Sequence, residues 1–283
     1  MKKNLSTVIF VIIFVVGLSV MLYPSFSNWW NLRHQSRAVA NYKETVAQMN
    51  SSQTEQLFAE AHRYNAQLAK LSSPFHSFEE VKGYDDILNV SGTGIMGYIS
   101  IPSIQVELPI YHGTSEGVLQ IAAGHIQGSS LPIGERNAHA VISGHRGLPS
   151  ARLFTDLDKM VVGDTFTVNI LNEVFTYEVE QILIILPDES DKLEIIPNED
   201  YVTLMTCTPY GINSHRLLLR SKRIGNIEER QRSIVSADAV QVDPMQVLPF
   251  VCGIMFVIMV LGWKVTGRNR KKLRIDKNII YKI

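Results

Sequence analysis

Cysteine is nearly missing from this chain: of 283 residues, only Cys207 and Cys252 carry a thiol. Cys252 falls inside a long apolar run, so Cys207 has no partner in the polar part of the chain. That excludes a disulfide framework and a cysteine-built metal site. The histidines do not stand at metal-ligand spacing, no glycine-rich phosphate loop is present, and nothing in the pattern asks for a cofactor. Net charge is missing as well, with 27 basic against 27 acidic residues, but the balance hides an asymmetry. Residues 264–283 hold eight Lys or Arg against one Asp; with Lys2 and Lys3 also set aside, residues 4–263 carry about −9. An acidic segment of this kind argues against nucleic acid as a partner.

Two uncharged runs flank that segment. Leu5 to Tyr23 follows Lys2 and Lys3, and Val247 to Trp263 precedes the basic tail. Each is near the length of a bilayer-spanning helix. The positive flanks place both termini in the cytoplasm and everything between them outside, with the lipid bilayer as a partner. A cleaved signal peptide competes for the first run; its length and the lack of an A-x-A-like site favour an uncleaved anchor. A buried core helix competes for the second, and the basic flank argues for a span.

Residues 31–71 contain neither glycine nor proline and are expected to be helical. Ser52-Gln53-Thr54-Glu55 fits a capping box, followed at helical spacing by Leu57, Ala61, Tyr64 and Leu68. Pro74 ends the pattern, because the residue before a proline is pushed away from helical angles. From Met96 onward, short β-branched and aromatic runs recur: Met96–Ile101, Val106–Tyr111, His139–Ser143, Thr165–Leu171, Val174–Leu186, Tyr201–Thr206 and His215–Ser221. Many short strands with few helices predict a closed or nearly closed β-barrel.

Chemistry concentrates at two strand ends. In Thr203-Leu204-Met205-Thr206-Cys207, alternation puts Val202, Leu204 and Thr206 on one face and Cys207 on the other. The turn-prone stretch after it, from Pro209 to Ser214, predicts a hairpin that brings Arg216 back beside Cys207. His145 ends a strand in Ser143-Gly144-His145-Arg146-Gly147. A thiol attacks as its thiolate, and free cysteine ionises only near pH 8.5, so an adjacent guanidinium or imidazolium favours the reactive form. Taken singly, each residue has a plainer reading: a small buried hydrophobe for Cys207, a solvated side chain for His145, a surface ion pair for Arg216. His125, in a glycine-flanked loop, is read as structural, and His215 as pointing away from the Arg216 face.

The stretch TLMTC with Arg216 downstream resembles the TLxTC…R signature of sortases, the cysteine transpeptidases of Gram-positive cell surfaces. Ser143-Gly144-His145-Arg146-Gly147 is similar to their histidine motif, and the resemblance runs from about residue 60 to 224. It implies an eight-stranded barrel in which Cys207 attacks an LPxTG-like sorting signal to form a thioester, His145 is the acid/base, and Arg216 stabilises charge. The helical N-terminal region, the second apolar run, and the stretches AGHIQGSSLPIGERNAHAVISGHRGLPSARLFTDLDK and TCTPYGINSHRLLLR resemble class C, the pilin-polymerising sortases. That class implies pilin subunits as partners, a pilin lysine as acceptor, and a lid over the site with an Asp-Pro-aromatic motif. Here the lid reads Ser73-Pro74-Phe75, which replaces a charge-assisted latch on the arginine by at most a neutral hydrogen bond, and predicts a looser lid; an ordinary helix-terminating loop is the plainer alternative.

The expected organisation is a cytoplasmic N-terminus and anchor over 1–25, N-terminal helices and lid over 26–80, and the catalytic barrel over 81–225. A linker over 226–246, a transmembrane helix over 247–264 and a basic cytoplasmic tail over 265–283 follow. Two other functions stay open: a sortase of another class that anchors proteins to cell wall, and a non-catalytic bitopic scaffold. The particular pilin, the acceptor lysine and the oligomeric state are not legible.

Overall fold

Short strands, most of them buried along much of their length, build the larger part of the described chain. The computed structural model describes residues 2–225 and Gly253. Its strands are β1 (Ile95–Ile101), β2 (Val106–His112), β3 (Ala123–His125), β4 (Ala138–Ser143), β5 (Thr165–Ile170), β6 (Glu173–Ile185), β7 (Asp200–Thr208) and β8 (His215–Ile224). They close into a barrel in the order β1-β2-β3-β4-β7-β8-β6-β5. The pairs β2–β3 and β4–β7 are parallel and the others antiparallel. The expected closed eight-stranded barrel is observed. Its interior is filled by residues such as Ile99, Ile110, Ala140, Ile142, Phe166, Val168, Tyr177, Val202, Leu204 and Leu219.

Two features escape the sequence pattern. Strand β3 has three residues, too few to show alternation, and His125, expected in a loop, is its fully buried last residue. In β6, the register against β8 shifts between Val179 and Gln181. Such a bulge flips side-chain parity. Before it, Phe175, Tyr177 and Val179 point into the core; after it, Leu183 and Ile185 join Val141, Met205 and Leu218 in a second apolar cluster on the barrel's outer face.

The chain falls into two units, Met1–Phe26 with Ser233–Ile283, and Ser27–Arg232. Helix α1 (Lys2–Ala47) begins in the first and ends in the second. Among the described residues, one helical segment, Ile9–Ala47, is long and apolar enough to cross a membrane, and its most apolar stretch is not buried. The expected second span, with the linker and tail around it, lies outside the described residues.

The second unit clamps its helices to the barrel through buried polar contacts. Tyr42 of α1 donates to Met96 O at 3.0 Å and accepts from Leu171 N at 2.8 Å. In α2 (Ser51–Leu68), Asn65 donates to Leu131 O at 3.0 Å and accepts from Leu131 N at 2.7 Å, while Ala61, Tyr64 and Leu68 enter the core. The uninterrupted helix expected over 31–71 is broken between Ala47 and Ser51. Asn50, in extended conformation, caps α2, and its box partner is Gln53: the two exchange side-chain-to-backbone bonds of 2.9 and 3.0 Å. The capping box is thus two residues upstream of Ser52, because this register points the apolar stripe at the barrel.

Two histidines are sealed into the unit. His125 donates from Nε2 to Ser130 O at 2.8 Å, with the Tyr84 hydroxyl 2.9 Å from Nδ1. His139 donates from Nδ1 to Glu194 O at 2.9 Å and lies 2.7 Å from the Thr203 hydroxyl at Nε2. Loss of solvation is the first cause that lowers each from 6.5 to about 4. A lowered histidine pKa means that the unfolded chain takes the proton first as pH falls. The contribution of each histidine to stability is therefore full above about pH 6.5 and declines toward pH 4, partly offset by buried Asp200, which burial raises to about 6. At pH 5 the loss is roughly 2 kcal/mol per histidine relative to pH 8. Urea unfolding at the two pH values checks this, and a His139→Gln variant should lose about half of the histidine part of the pH slope; equal stability at both values would contradict it.

Candidate active site

The β7–β8 hairpin sets the geometry. Its antiparallel register pairs Cys207 directly with Arg216, and on the far side of β8 Arg216 pairs with Ile185 of β6. Parallel pairing of β4 with β7 runs up to Ser143 opposite Met205, and Gly144 N continues it with a 3.1 Å bond to Met205 O. His145 follows two residues beyond the last β4–β7 pair. One row across the outer face reads Cys207, Arg216, Ile185. A second row, about 7 Å below, reads Ser143, Met205, Leu218, Leu183. Of the three residues that the sequence singles out, Cys207 and Arg216 are direct neighbours, and His145 follows the end of the strand that pairs with β7.

Each residue of the TLMTC stretch has a physical job. Thr203 faces outward and bonds to buried His139. Leu204 fills the core. Met205 belongs to the outer apolar cluster. Thr206 points inward, almost fully buried, and its hydroxyl donates to Gly144 O at 2.7 Å, tying the cysteine strand to the residue before His145. Cys207 is partly exposed at the strand end, and its sulfur has no hydrogen-bond partner among the described residues. Arg216 donates from Nη1 to the carbonyls of Asn213, at 3.3 Å, and His215, at 3.2 Å. Among the described residues no carboxylate forms an ion pair with it.

The loop carrying His145 is held from several sides. Phe154 N donates to His145 O at 3.1 Å. Arg146 pairs with Asp158, lies 3.4 Å from Thr208 Oγ1 and stands over the Tyr210 ring. The glycines that flank this dipeptide are steric requirements. A Cβ on Gly144 would stand 2.7 Å from the Phe154 ring, and Gly147 has φ +77° with the Tyr210 ring 2.9 Å from where its Cβ would be. Glu116, on the one-turn helix α4 (Glu116–Leu119), brings Oε2 within 3.8 Å of His145 Nε2. Nothing in the sequence around Glu116 signals that approach, which depends on where α4 packs.

The lid segment lies on the same outer face. Pro74 does more than end a helix: α2 stops at Leu68, and Pro74 opens a new one-turn helix, α3 (Pro74–Ser77). Phe75 packs on the cluster of Val141, Ile185, Leu193 and Leu218, one row below Cys207. Gly128 admits this approach, since a Cβ there would be 3.0 Å from Phe75 Cα. A cavity of about 230 Å³ remains between the segment and the barrel, lined by Ser73, Pro74, Phe75, Ser130, His139 and Glu194 among others. The Ser73 hydroxyl is 2.9 Å from His76 Nδ1, and the recorded bonds of Arg216 go to backbone carbonyls. The neutral bond available to Ser73 is thus spent within its own turn rather than on the arginine.

The structure is thus a closed eight-stranded barrel with a cysteine and an arginine paired on neighbouring strands. A sortase-domain profile matches residues 99–224. Sortase C1 of Streptococcus agalactiae is 48% identical, with a TM-score of 0.62, and the match covers 67% of this chain and 99% of that one. Sortase C-1 of Streptococcus pneumoniae is 42% identical, with a TM-score of 0.61, covering 68% of this chain and all of the other. Sortase D of Bacillus subtilis is 27% identical over 177 residues, 62% of this chain and 86% of that protein. The chain belongs to the sortase family, the cysteine transpeptidases, and the two solved structures above are class C sortases.

Thr206→Val keeps the volume but leaves the buried Gly144 carbonyl without its donor. We expect a stability loss of about 1–3 kcal/mol and roughly tenfold slower turnover, because the His145 loop is released. Melting temperature and steady-state rates with a sorting-signal peptide check it. Turnover equal to that of the parent would show that this bond does not position the histidine.

Proposed function

We propose that this sortase polymerises pilins: it cleaves an LPxTG-like sorting signal on a pilin subunit and joins the new carboxyl end to a lysine amine of another. The observation that supports this reading is the direct pairing of Cys207 with Arg216, with His145 just beyond the end of the ladder beside β7. In this reading Cys207 attacks the carbonyl of the Thr–Gly bond, and Arg216 stabilises the oxyanion. His145 protonates the leaving amine. A thioester results, and the lysine amine resolves it. The apolar floor of Met205, Leu218, Leu183 and Ile185 suits the leucine of the sorting signal, and Phe75 occupies that floor until substrate displaces it. Likeness to class C sortases supports the pilin assignment, as does the sortase C of Streptococcus pneumoniae, described in terms of pilin substrate specificity. The apolar part of α1 and the run Val247–Trp263 anchor the enzyme in this reading, with the barrel outside the membrane.

Mass spectrometry of the protein mixed with a sorting-signal peptide should find an acyl adduct on Cys207, absent from Cys207→Ala. Offered whole pilin subunits, the enzyme should yield a ladder of multimers; a single wall-linked product would favour the cell-wall anchoring alternative, and no adduct would sink the enzymatic assignment of this residue. Phe75→Ala should raise the alkylation rate of Cys207 by on the order of fivefold to tenfold, because the closed lid loses its anchor. An unchanged rate would mean that the segment does not guard the thiol.

A further inference from the structure

Glu116 is the one carboxylate that approaches the proposed acid/base among the described residues, with 3.8 Å between its Oε2 and His145 Nε2. It is also oriented. Its other oxygen, Oε1, accepts a 2.6 Å hydrogen bond from Gln120 Nε2, which turns Oε2 toward the imidazole. The end of α4 is tied down in turn, since Gln35 Nε2 donates to Ile121 O at 2.7 Å. The loop before α4 rests on Gly124, where a Cβ would stand 2.3 Å from Gly113 O. Despite this support the side chain of Glu116 is 75% exposed, against 27% for His145. The carboxylate stands beside His145 on the segment leading into β3, which β4 and β7 separate from the strand that carries Arg216.

We propose that Glu116 docks the incoming amine, and so helps the enzyme select a cationic acceptor. This rests on the reading above, in which an acyl-enzyme on Cys207 is resolved by an amine. A lysine side chain arrives as an ammonium ion, which cannot attack a thioester until it loses a proton. A fixed carboxylate beside the imidazole holds that cation within reach of the base. One ammonium proton leaves to water. The second passes to His145 Nε2 as the C–N bond forms and the C–S bond breaks, and Cys207 departs as thiolate beside the new imidazolium. No oxidant or reductant is involved. The same carboxylate has a simpler possible role, stabilising imidazolium, and an uncharged acceptor separates the two. Hydroxylamine is neutral at pH 7, needs no docking carboxylate, and still uses His145.

The experiment takes the full chain in detergent, acylated by a sorting-signal peptide, and compares an Nα-blocked lysine amide with hydroxylamine as acceptors. Glu116→Gln should lower the lysine-to-hydroxylamine rate ratio about fivefold, mainly through KM for the lysine amine, in keeping with an exposed charge pair. Gln120→Ala should shift the ratio the same way by a smaller factor, and added salt should lower it in the parent enzyme. A ratio that stays constant, whether both acceptors slow together or neither does, overturns the proposal. If the parent forms no adduct on Cys207, the reading of the site itself has failed, and the inference falls with it.

Discussion

Everything at this site depends on strand register. Cys207 and Arg216 are neighbours because β7 and β8 pair antiparallel across a short turn, and a slip of one residue would send one of them into the core. His145 is fixed against the same strand by a different device. The parallel β4–β7 ladder ends just before it, and the buried bond from Thr206 to Gly144 O carries the alignment on to the loop. The inward-facing residues that hold register, Val202, Leu204 and Thr206, alternate with the outward-facing ones that do chemistry or support it. One short stretch thus supplies both the packing of the strand and the cysteine of the proposed site.

The outer face extends this logic. Ordinarily the outside of a barrel strand is polar, yet Val141, Leu218 and Ile185 are buried there. They are covered by Phe75 and Leu193, on segments outside the barrel, and the β6 bulge is what turns Leu183 and Ile185 outward to complete the patch. Apolar surface of this kind costs free energy when left to water, so a cover that can come away must be only modestly held. Pro74 and the close approach at Gly128 position that cover, while Ser73 contributes its hydrogen bond only to its own turn. In the proposed reaction, the enzyme exchanges Phe75 for an apolar side chain of its substrate.

Much of this was legible in the residues, for identifiable reasons. Strands β4, β7 and β8 announce themselves as short β-branched and aromatic runs between turn residues, and a lone thiol with a turn and an arginine after it predicts the hairpin. The helix break before Ser51 was not foreseen, and the capping box was placed two residues late, at Ser52, because Asn50 with Gln53 offers the same exchange of side-chain and backbone bonds. Strand β3 was invisible since three residues carry no period, although burial of His125 depends on it. The β6 bulge left no mark in a run that is apolar on both sides. Glu116 was missed for a further reason: its closeness to His145 arises from tertiary placement of α4, and local sequence does not encode that distance.

A crystal structure of the protein carrying a sorting-signal analogue covalently bound to Cys207 is the most direct test of the shared row. The account predicts the acyl carbonyl oxygen at hydrogen-bond distance, about 3 Å, from the Arg216 guanidinium, with His145 on the side of the departing group and Phe75 displaced from the apolar floor. An adduct whose carbonyl turns away from Arg216, while that side chain still bonds the Asn213 and His215 carbonyls, would contradict it.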